Sequence, residues 1–275
     1  FKGWYDNENL TGSPVTAISN TEIGNKECWA KWEANTYTVT LNAGDGTINS
    51  GNVTEYTYGV GATLPTAGDM TYTGHTFKGW YDNENLTGSP VTAISDTETG
   101  NKEYWAKWEI NQYTVTVKPE NGKADITITQ DYGTPITAPT LTREGYQFNG
   151  WDKAFPTTMP AENLTITALW RDIAVPTGEI KIAENGWKSF FNTITFGLFF
   201  KDTQMVTVTA ADNSGEAVKI ECLLSDKALT ESELAGMTFT AYSAPFSINA
   251  DNEYDIYAKL TDTSGNIAYI NTNGI

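Results

Sequence analysis

The sequence is poor in the residues from which most enzyme and metal sites are built. Among 275 residues there is one histidine, His75, and there are two cysteines, Cys28 and Cys222. A single histidine cannot by itself form a histidine metal site or a Ser–His pair, and no GxSxG, HExxH, P-loop or CxxC motif occurs. The cysteines fall in different predicted domains, and the repeat equivalent of Cys28 is Tyr104, so no disulfide is predicted. We therefore expect no enzymatic activity, no catalytic residue and no cofactor.

Positive charge and long apolar runs are scarce as well. Lys and Arg number 17 against 34 Asp and Glu, a formal net charge of −17. Without a basic patch, binding to nucleic acid is excluded. No apolar run approaches the roughly 20 residues that span a bilayer, so no membrane insertion of this segment is expected. Helix-forming runs are also missing, while Thr, Asn, Gly and aromatic residues abound, which predicts a mainly β protein.

A nearly exact internal repeat dominates the chain. The stretch FKGWYDNENLTGSPVTAIS occurs at residues 1–19 and again at residues 77–95, and the match extends through residues 39 and 115. Such fidelity at a fixed period predicts an array of structural units. Because Phe1 falls inside a repeat and no initiator Met precedes it, we expect the chain to be a piece of a longer protein.

The repeat and a change in composition after Trp170 predict four domains. They are the C-terminal half of a truncated repeat (1–35), a complete repeat (36–109), a shorter divergent repeat (110–171) and a last domain (172–275). The units are expected to pack separately, with a hinge near residues 174–178, where Pro and Gly interrupt the pattern.

Three motifs recur in order in these repeats: YTVTLNAGDG, GHTFKGWYD and YWAKW in the complete one, YTVTVKPENG, GYQFNGWD and ALW in the divergent one. They resemble the internalin B-type repeat, also called the Listeria–Bacteroides repeat, of bacterial surface proteins. The resemblance implies small β-grasp-like units with a mixed sheet, placed in tandem on adhesins and other wall-attached proteins. It implies no catalytic residues.

Alternating strands separated by the turn signals DNSG and DTSGN predict a β-sandwich for the last domain. A short helix is expected at residues 230–236, where Thr230 and Glu233 form a capping box. The stretches LLSDKALTESEL and EYDIYAKLTDTSGNIAYINTNGI resemble the immunoglobulin-like modules of large Gram-positive surface proteins. The fold class is therefore mainly β: tandem β-grasp-like units followed by an immunoglobulin-like β-sandwich.

The recurrent tryptophans Trp4, Trp80 and Trp151 are interpreted as core residues of small units that have little else to bury. Tyr5 and Tyr81 follow two of them along a strand and must face the other way. These two tyrosines are the candidates for exposed ligand contacts.

Aspartates beside Gly, such as Asp45, Asp212 and Asp262, are interpreted as turn residues that satisfy local backbone amides, and no metal ligand is assigned. Calcium in the last domain is the open alternative, because hard oxygen ligands cluster there within a short span: Asp251, Glu253, Asp255, Asp262 and Asn266. A Lys–Asn isopeptide crosslink that uses Lys219 or Lys259 with Asn271 is also left open.

The sequence thus predicts a non-enzymatic stalk and adhesion segment of a large secreted protein on a Gram-positive cell wall. Its partner would be a surface protein or glycan of a host or neighbouring cell, and the segment itself is expected to be monomeric. The alternative is an accessory glycan-binding and linker region of a secreted carbohydrate-active enzyme.

Overall fold

The computed structural model describes residues 1–184, 203–249 and 255–272. Two compact units are present. The first comprises Phe1–Thr116, Thr127–Thr137 and Pro156–Leu164, and the second comprises Val117–Ile126, Ala138–Phe155 and Thr165–Ile275.

The prediction of a mainly β protein is confirmed. Residues 1–110 form β1 (Gly3–Tyr5), β2 (Trp29–Lys31), β3 (Thr36–Asn42), β4 (Thr47–Ile48), β5 (Glu55–Thr57), β6 (Ala62–Thr63), β7 (Met70–Thr71), β8 (His75–Tyr81), β9 (Ala93–Ile94) and β10 (Lys102–Ile110). The third repeat contributes β11 (Gln112–Lys118), β12 (Ile126–Asp131), β13 (Tyr146–Trp151) and β14 (Leu164–Asp172). The last domain contributes β15 (Thr177–Glu184), β16 (Gln204–Ala211), β17 (Lys219–Ser225), β18 (Thr240–Ala241), β19 (Phe246–Ile248), β20 (Asp255–Thr261) and β21 (Ile267–Asn271).

The complete repeat is built on a mixed sheet of order β5-β3-β10-β8. Its two central strands, β3 and β10, run parallel, while β5 and β8 pair antiparallel at the edges. The sheet of the third repeat has the equivalent order, β12-β11-β14-β13. The truncated repeat has only β1 and β2, which form a two-stranded antiparallel sheet. The sheets of these two repeats thus place the first and last strands of the repeat in the centre.

The segment between β6 and β7 contains only a single 3₁₀ turn, Ala67–Asp69. Gly and Pro punctuation around it explains why no longer helix forms there. Thr66 caps the turn, since Asp69 accepts hydrogen bonds from the Thr66 amide at 2.9 Å and from its hydroxyl at 2.7 Å. The Ser50 hydroxyl also donates to Asp69. These donors, with Ser50 the largest contributor, lower the pKa of Asp69 to about 2.

Each repeat carries the same group of three aromatic residues, one Phe and two Trp, in edge-to-face contact. In the complete repeat Phe77 contacts Trp80 and Trp108, with ring centroids 5.5 and 5.3 Å apart. The equivalent groups are Phe1, Trp4 and Trp32 in the truncated repeat and Phe148, Trp151 and Trp170 in the third.

The surroundings of these groups decide how deeply they are buried. Trp80 is 1% exposed and belongs to a core that includes Val39, with Tyr37 and Trp108 packed against it, so the core interpretation of Trp80 is confirmed. Trp4 is 49% exposed, so the core interpretation is wrong there. The physical reason is that residues 1–35 contain no counterparts of β3 and β5 to cover it.

The last tryptophan of a repeat is anchored to the turn after the first strand. The Trp108 indole N–H donates to the carbonyl of Ala43 at 2.9 Å, and that of Trp170 donates to Pro119 at the equivalent position at 2.8 Å. A Cβ on Gly46 would lie 2.2 Å from the Trp108 ring, so glycine is required where this ring packs on the turn.

The last domain is a sandwich of two sheets, β15-β16-β19 and β18-β17-β20-β21. Between them lies a core formed by residues of β16, β17 and β20: Val206, Val208, Cys222, Ile256, Ala258 and Leu260. The alternating sequence pattern predicts strands at 179–182, 204–210, 217–224, 246–248, 253–261 and 267–271, and a strand is found at each. The strand expected at 194–200 lies outside the described residues, as do residues 253 and 254.

The short helix expected at residues 230–236 is present as α1, Glu231–Leu234. Its N-terminus carries the capping box inferred from sequence, in which the Thr230 side chain accepts from the Glu233 amide and Glu233 accepts from the Thr230 amide. Leu234 packs with Leu229 and Tyr257 on the outer face of β20.

Candidate functional site

The two tyrosines proposed as ligand contacts are buried. Tyr5 and Tyr81 are each 7% exposed, so their expected exposure is wrong. The alternation of side chains along β8 does direct Tyr81 to the face of the sheet opposite to that of Trp80. Other side chains cover this second face as well. Tyr81 lies directly across from Trp105, and the Lys107 ammonium sits 5.2 Å from the centre of the Tyr81 ring.

The same arrangement recurs in the truncated repeat. Tyr5 lies across from Trp29, and the Lys31 ammonium is 5.2 Å from the Tyr5 ring centre. A lysine two positions beyond the tryptophan therefore covers the tyrosine with its aliphatic stem and places its charge over the ring. These tyrosines act as packing residues of the second sheet face.

The single histidine and the two cysteines have structural surroundings. His75 stacks on Tyr72 with ring centroids 3.9 Å apart, and its Nδ1 lies 2.9 Å from the carbonyl oxygen of Thr73. Cys28 is exposed and Cys222 is buried, and both are free thiols, as the sequence predicted. Burial raises the pKa of the Cys222 thiol to about 11, which keeps it protonated and unreactive.

The structure instead gathers three carboxylates in the second unit: Asp172, Asp212 and Asp262. One carboxylate oxygen from each lies within 4.8 Å of the others. Asp172 is the last residue of β14, Asp212 follows the end of β16, and Asp262 follows the end of β20. We call these three residues the aspartate cluster.

Tight turns fix two members of the cluster. In DNSG, Asp212 accepts hydrogen bonds through Oδ2 from the amide and hydroxyl of Ser214 at 2.9 and 2.5 Å. These bonds, led by the Ser214 hydroxyl, lower the pKa of Asp212 and favour its charged form. In DTSGN, Asp262 accepts from the backbone and side-chain amides of Asn266, both at 2.8 Å. The interpretation of Asp212 and Asp262 as turn residues is confirmed.

Asp172 is held by the chain that follows β14. Its Oδ1 accepts from the Ala174 amide at 2.9 Å and from the Asn213 side-chain amide at 3.4 Å. Its carbonyl oxygen accepts from the Asn266 side-chain amide at 3.3 Å. Asn213 and Asn266 thereby link the Asp172 backbone and side chain to the two turns.

The cluster carries negative charge with little compensation. Asp172 and Asp262 are 8% and 7% exposed, and none of the ion pairs among the described residues involves a member of the cluster. The neighbouring Arg171 directs its guanidinium to Gln147 at 3.0 Å. Two carboxylate oxygens, Oδ2 of Asp172 and Oδ1 of Asp212, are buried without a hydrogen-bond partner.

The calcium ligands considered from sequence do not come together as a set. Asp255 begins β20 and Asp262 follows its end, so a whole strand of about 20 Å separates them. Asp251 and Glu253 lie outside the described residues. Asp262 and Asn266 do meet, but their acidic neighbours come from distant segments. The signal that sequence inspection missed is that Asp172, like Asp212 and Asp262, stands at the end of a strand.

The lysines considered for a crosslink face the same carboxylate. Lys219 and Lys259 approach Glu221 with N–O distances of 2.9 and 4.0 Å. Asn271 lies across from Tyr257 on the neighbouring strand.

Comparison with known proteins identifies the repeats. Residues 37–107 and 113–168 each match the Listeria-Bacteroides repeat domain. It is also similar to two proteins of Evansella cellulosilytica. One, named "Putative membrane protein", is 35% identical over 179 residues, or 62% of this chain and 26% of the relative. The other, named "Putative Gly-rich membrane protein", is 34% identical over 198 residues, which are 68% of this chain and 22% of the relative.

The chain thus spans about a quarter of the length of these curated relatives. None of the helices in the described part of the chain has the length and apolar character needed to cross a bilayer.

Proposed function

We propose that this chain is a non-enzymatic spacer and adhesion segment of a large bacterial cell-surface protein. Its repeats would set the reach from the cell and present binding surfaces several times over. The last domain, an immunoglobulin-like sandwich in this proposal, would continue the stalk. The partner would be a protein or glycan on a host or neighbouring cell.

One observation carries the proposal: what the near-exact repeat preserves is a set of fold-building contacts. In the FKGWYDNENLTG segment, Asn83 donates to the carbonyl of Thr87 at 2.9 Å and accepts from its amide at 3.2 Å. Asn7 and Thr11 make the same two bonds in the other copy, at 2.9 and 3.1 Å. The polar side chains of this loop are thus engaged in holding the loop itself, which suits a spacer.

The relatives support a location at the cell surface. Two long proteins that share this region are named as membrane proteins, and the Listeria-Bacteroides repeat domain is the family of the two matched segments. A net charge of −17 favours solubility and discourages self-association.

Adhesion is tested with beads that carry the intact chain at controlled density, incubated with host epithelial cells and with Gram-positive cells. The number of cells captured per bead should rise steeply with the density of the chain on the bead. Soluble chain should inhibit this capture only at a concentration about 10²–10⁴-fold higher than that at which the multivalent chain inhibits it. Beads coated with the last domain and third repeat alone (residues 110–275) serve as the comparison for repeat number.

The accessory-enzyme alternative makes a different prediction in the same samples. Density-independent binding of the soluble chain to a defined oligosaccharide on a glycan array would support the glycan-binding alternative. Turnover of a polysaccharide by the purified chain would contradict the proposal that it is non-enzymatic.

A further inference from the structure

The aspartate cluster holds more negative charge than its surroundings explain. Asp172 is more than nine-tenths buried, and its Oδ2 has no hydrogen-bond partner. Oδ1 of Asp212 is also buried without a hydrogen-bond partner, while the other oxygen of Asp212 accepts two hydrogen bonds from Ser214. Buried charged oxygens without partners are costly, and like charges within 4.8 Å repel one another. A bound cation removes both costs.

We propose that Asp172, Asp212 and Asp262 bind a Ca²⁺ ion. All three donors are carboxylate oxygens, which are the ligands that hard cations such as Ca²⁺ prefer. Zinc and copper sites seldom consist of carboxylate oxygens only. Calcium lies about 2.3–2.6 Å from its oxygen ligands, so opposite ligands are about 4.6–5.2 Å apart, and three oxygens that all lie within 4.8 Å of one another can share one such ion. Magnesium, at about 2.0–2.1 Å, would need each pair within about 4.2 Å.

The existing hydrogen bonds leave room for the ion. A carboxylate can accept at about four lone-pair positions. Each oxygen of Asp262 accepts one hydrogen bond from Asn266, while Asp172 and Asp212 each keep one oxygen unused. The ion can therefore be taken up without breaking either turn. Water and backbone carbonyls complete the usual six to eight ligands.

Binding would tie together three segments that are far apart in sequence. The ion would connect the end of β14 to the turns after β16 and β20, all within the second unit. Because these segments are not held together in the unfolded chain, calcium should stabilise the folded state by mass action. A dissociation constant of about 10⁻⁴–10⁻³ M, typical of extracellular modules, is expected; only this affinity class rests on the proposed location outside the cell.

The experiment uses the intact chain, treated with EGTA and dialysed, with isothermal titration of CaCl₂ and thermal melts in its presence. Wild type should bind one Ca²⁺, and about 10 mM CaCl₂ should raise the melting temperature of one transition by roughly 5 °C. MgCl₂ should give a smaller shift. Asp172→Asn and Asp212→Asn should each abolish the response, while Asp226→Asn, at an exposed position of the same domain, should leave it unchanged.

Two results would overturn the proposal. One is the absence of heat and of a melting shift in wild type at about 10 mM CaCl₂, in which case the carboxyls share a proton instead. The other is a full response in both Asn variants, which would place calcium elsewhere on the acidic surface. If Asp172→Asn does not fold, Asp212→Asn alone still tests the proposal. Asp212 is only partly buried, and an Asn at this position can accept the same hydrogen bonds in the turn, so this variant should fold.

Discussion

At the scale of single residues, Trp80 and Trp4 are the same residue in two copies of one sequence, but their burial differs. Trp80 is 1% exposed and donates its indole N–H to the carbonyl of Pro65 at 2.8 Å, whereas Trp4 is 49% exposed. Trp80→Ala should lower the free energy of unfolding of its repeat by about 3–5 kcal/mol, because a large buried ring is lost. Trp4→Ala should cost far less.

Urea denaturation of the two variants, followed by fluorescence and circular dichroism, measures this difference. The two substitutions remove the same chemical group from equivalent sequence positions, so each serves as the control of the other. Similar losses for both variants would contradict the assignment of Trp80 to the core.

The lowered pKa of Asp69 predicts how the stability of the fold depends on pH. Its pKa is held at about 2, below the ordinary 3.8, by hydrogen bonds from Ser50 and Thr66. A carboxyl whose pKa is lowered on folding stabilises the fold above its ordinary pKa, and this contribution disappears as the pH falls from about 4 through 2. Wild type should therefore lose more stability between about pH 5 and pH 2.5 than Asp69→Asn does. Equal losses in denaturation at the two pH values would contradict this.

At the scale of elements, β1 has the sequence of the last three residues of β8, Gly79–Tyr81, but belongs to a smaller sheet. Strand β8 pairs with β10, which is itself paired with β3 in a four-stranded sheet, while β1 and β2 form a sheet of two strands. A two-stranded sheet is marginal in water. The amides of Lys2–Tyr5 should therefore exchange with deuterium much faster than those of Lys78–Tyr81. Mass spectrometry of the dilute chain compares the two segments, and equal protection would contradict the boundary drawn between the truncated and complete repeats.

At the scale of the whole molecule, two of the hydrophobic cores in the described part of the chain share no residues. One surrounds Trp80 in the complete repeat, and the other lies between the two sheets of the last domain around Val206 and Leu260. Calorimetry should therefore resolve more than one unfolding transition. Trp80→Ala should lower the temperature of one transition and leave that of the last domain unchanged. A single transition that shifts as a whole would show that the cores unfold together.

Much of the fold could be predicted because the relevant signals are local. Alternating residues and the turn sequences DNSG and DTSGN predicted the sandwich strands, and the capping box of Thr230 and Glu233 predicted α1. The exact repeat predicted equivalent sheets. These features follow from backbone preferences and short-range hydrogen bonds, which neighbouring residues in sequence decide.

Tertiary structure alone decided the roles that depend on which distant segments meet. Alternation gave the direction of Tyr81, but Lys107 and Trp105 on another strand decided that it is buried. Asp212 and Asp262 each had a sufficient local interpretation as a turn residue, and the sequence alone did not single out Asp172. Only the convergence of three strand ends, separated by about 40 and 50 residues in the sequence, places their carboxylates within 4.8 Å. Burial and electrostatics depend on proximity in space, and a linear pattern records proximity only along the chain.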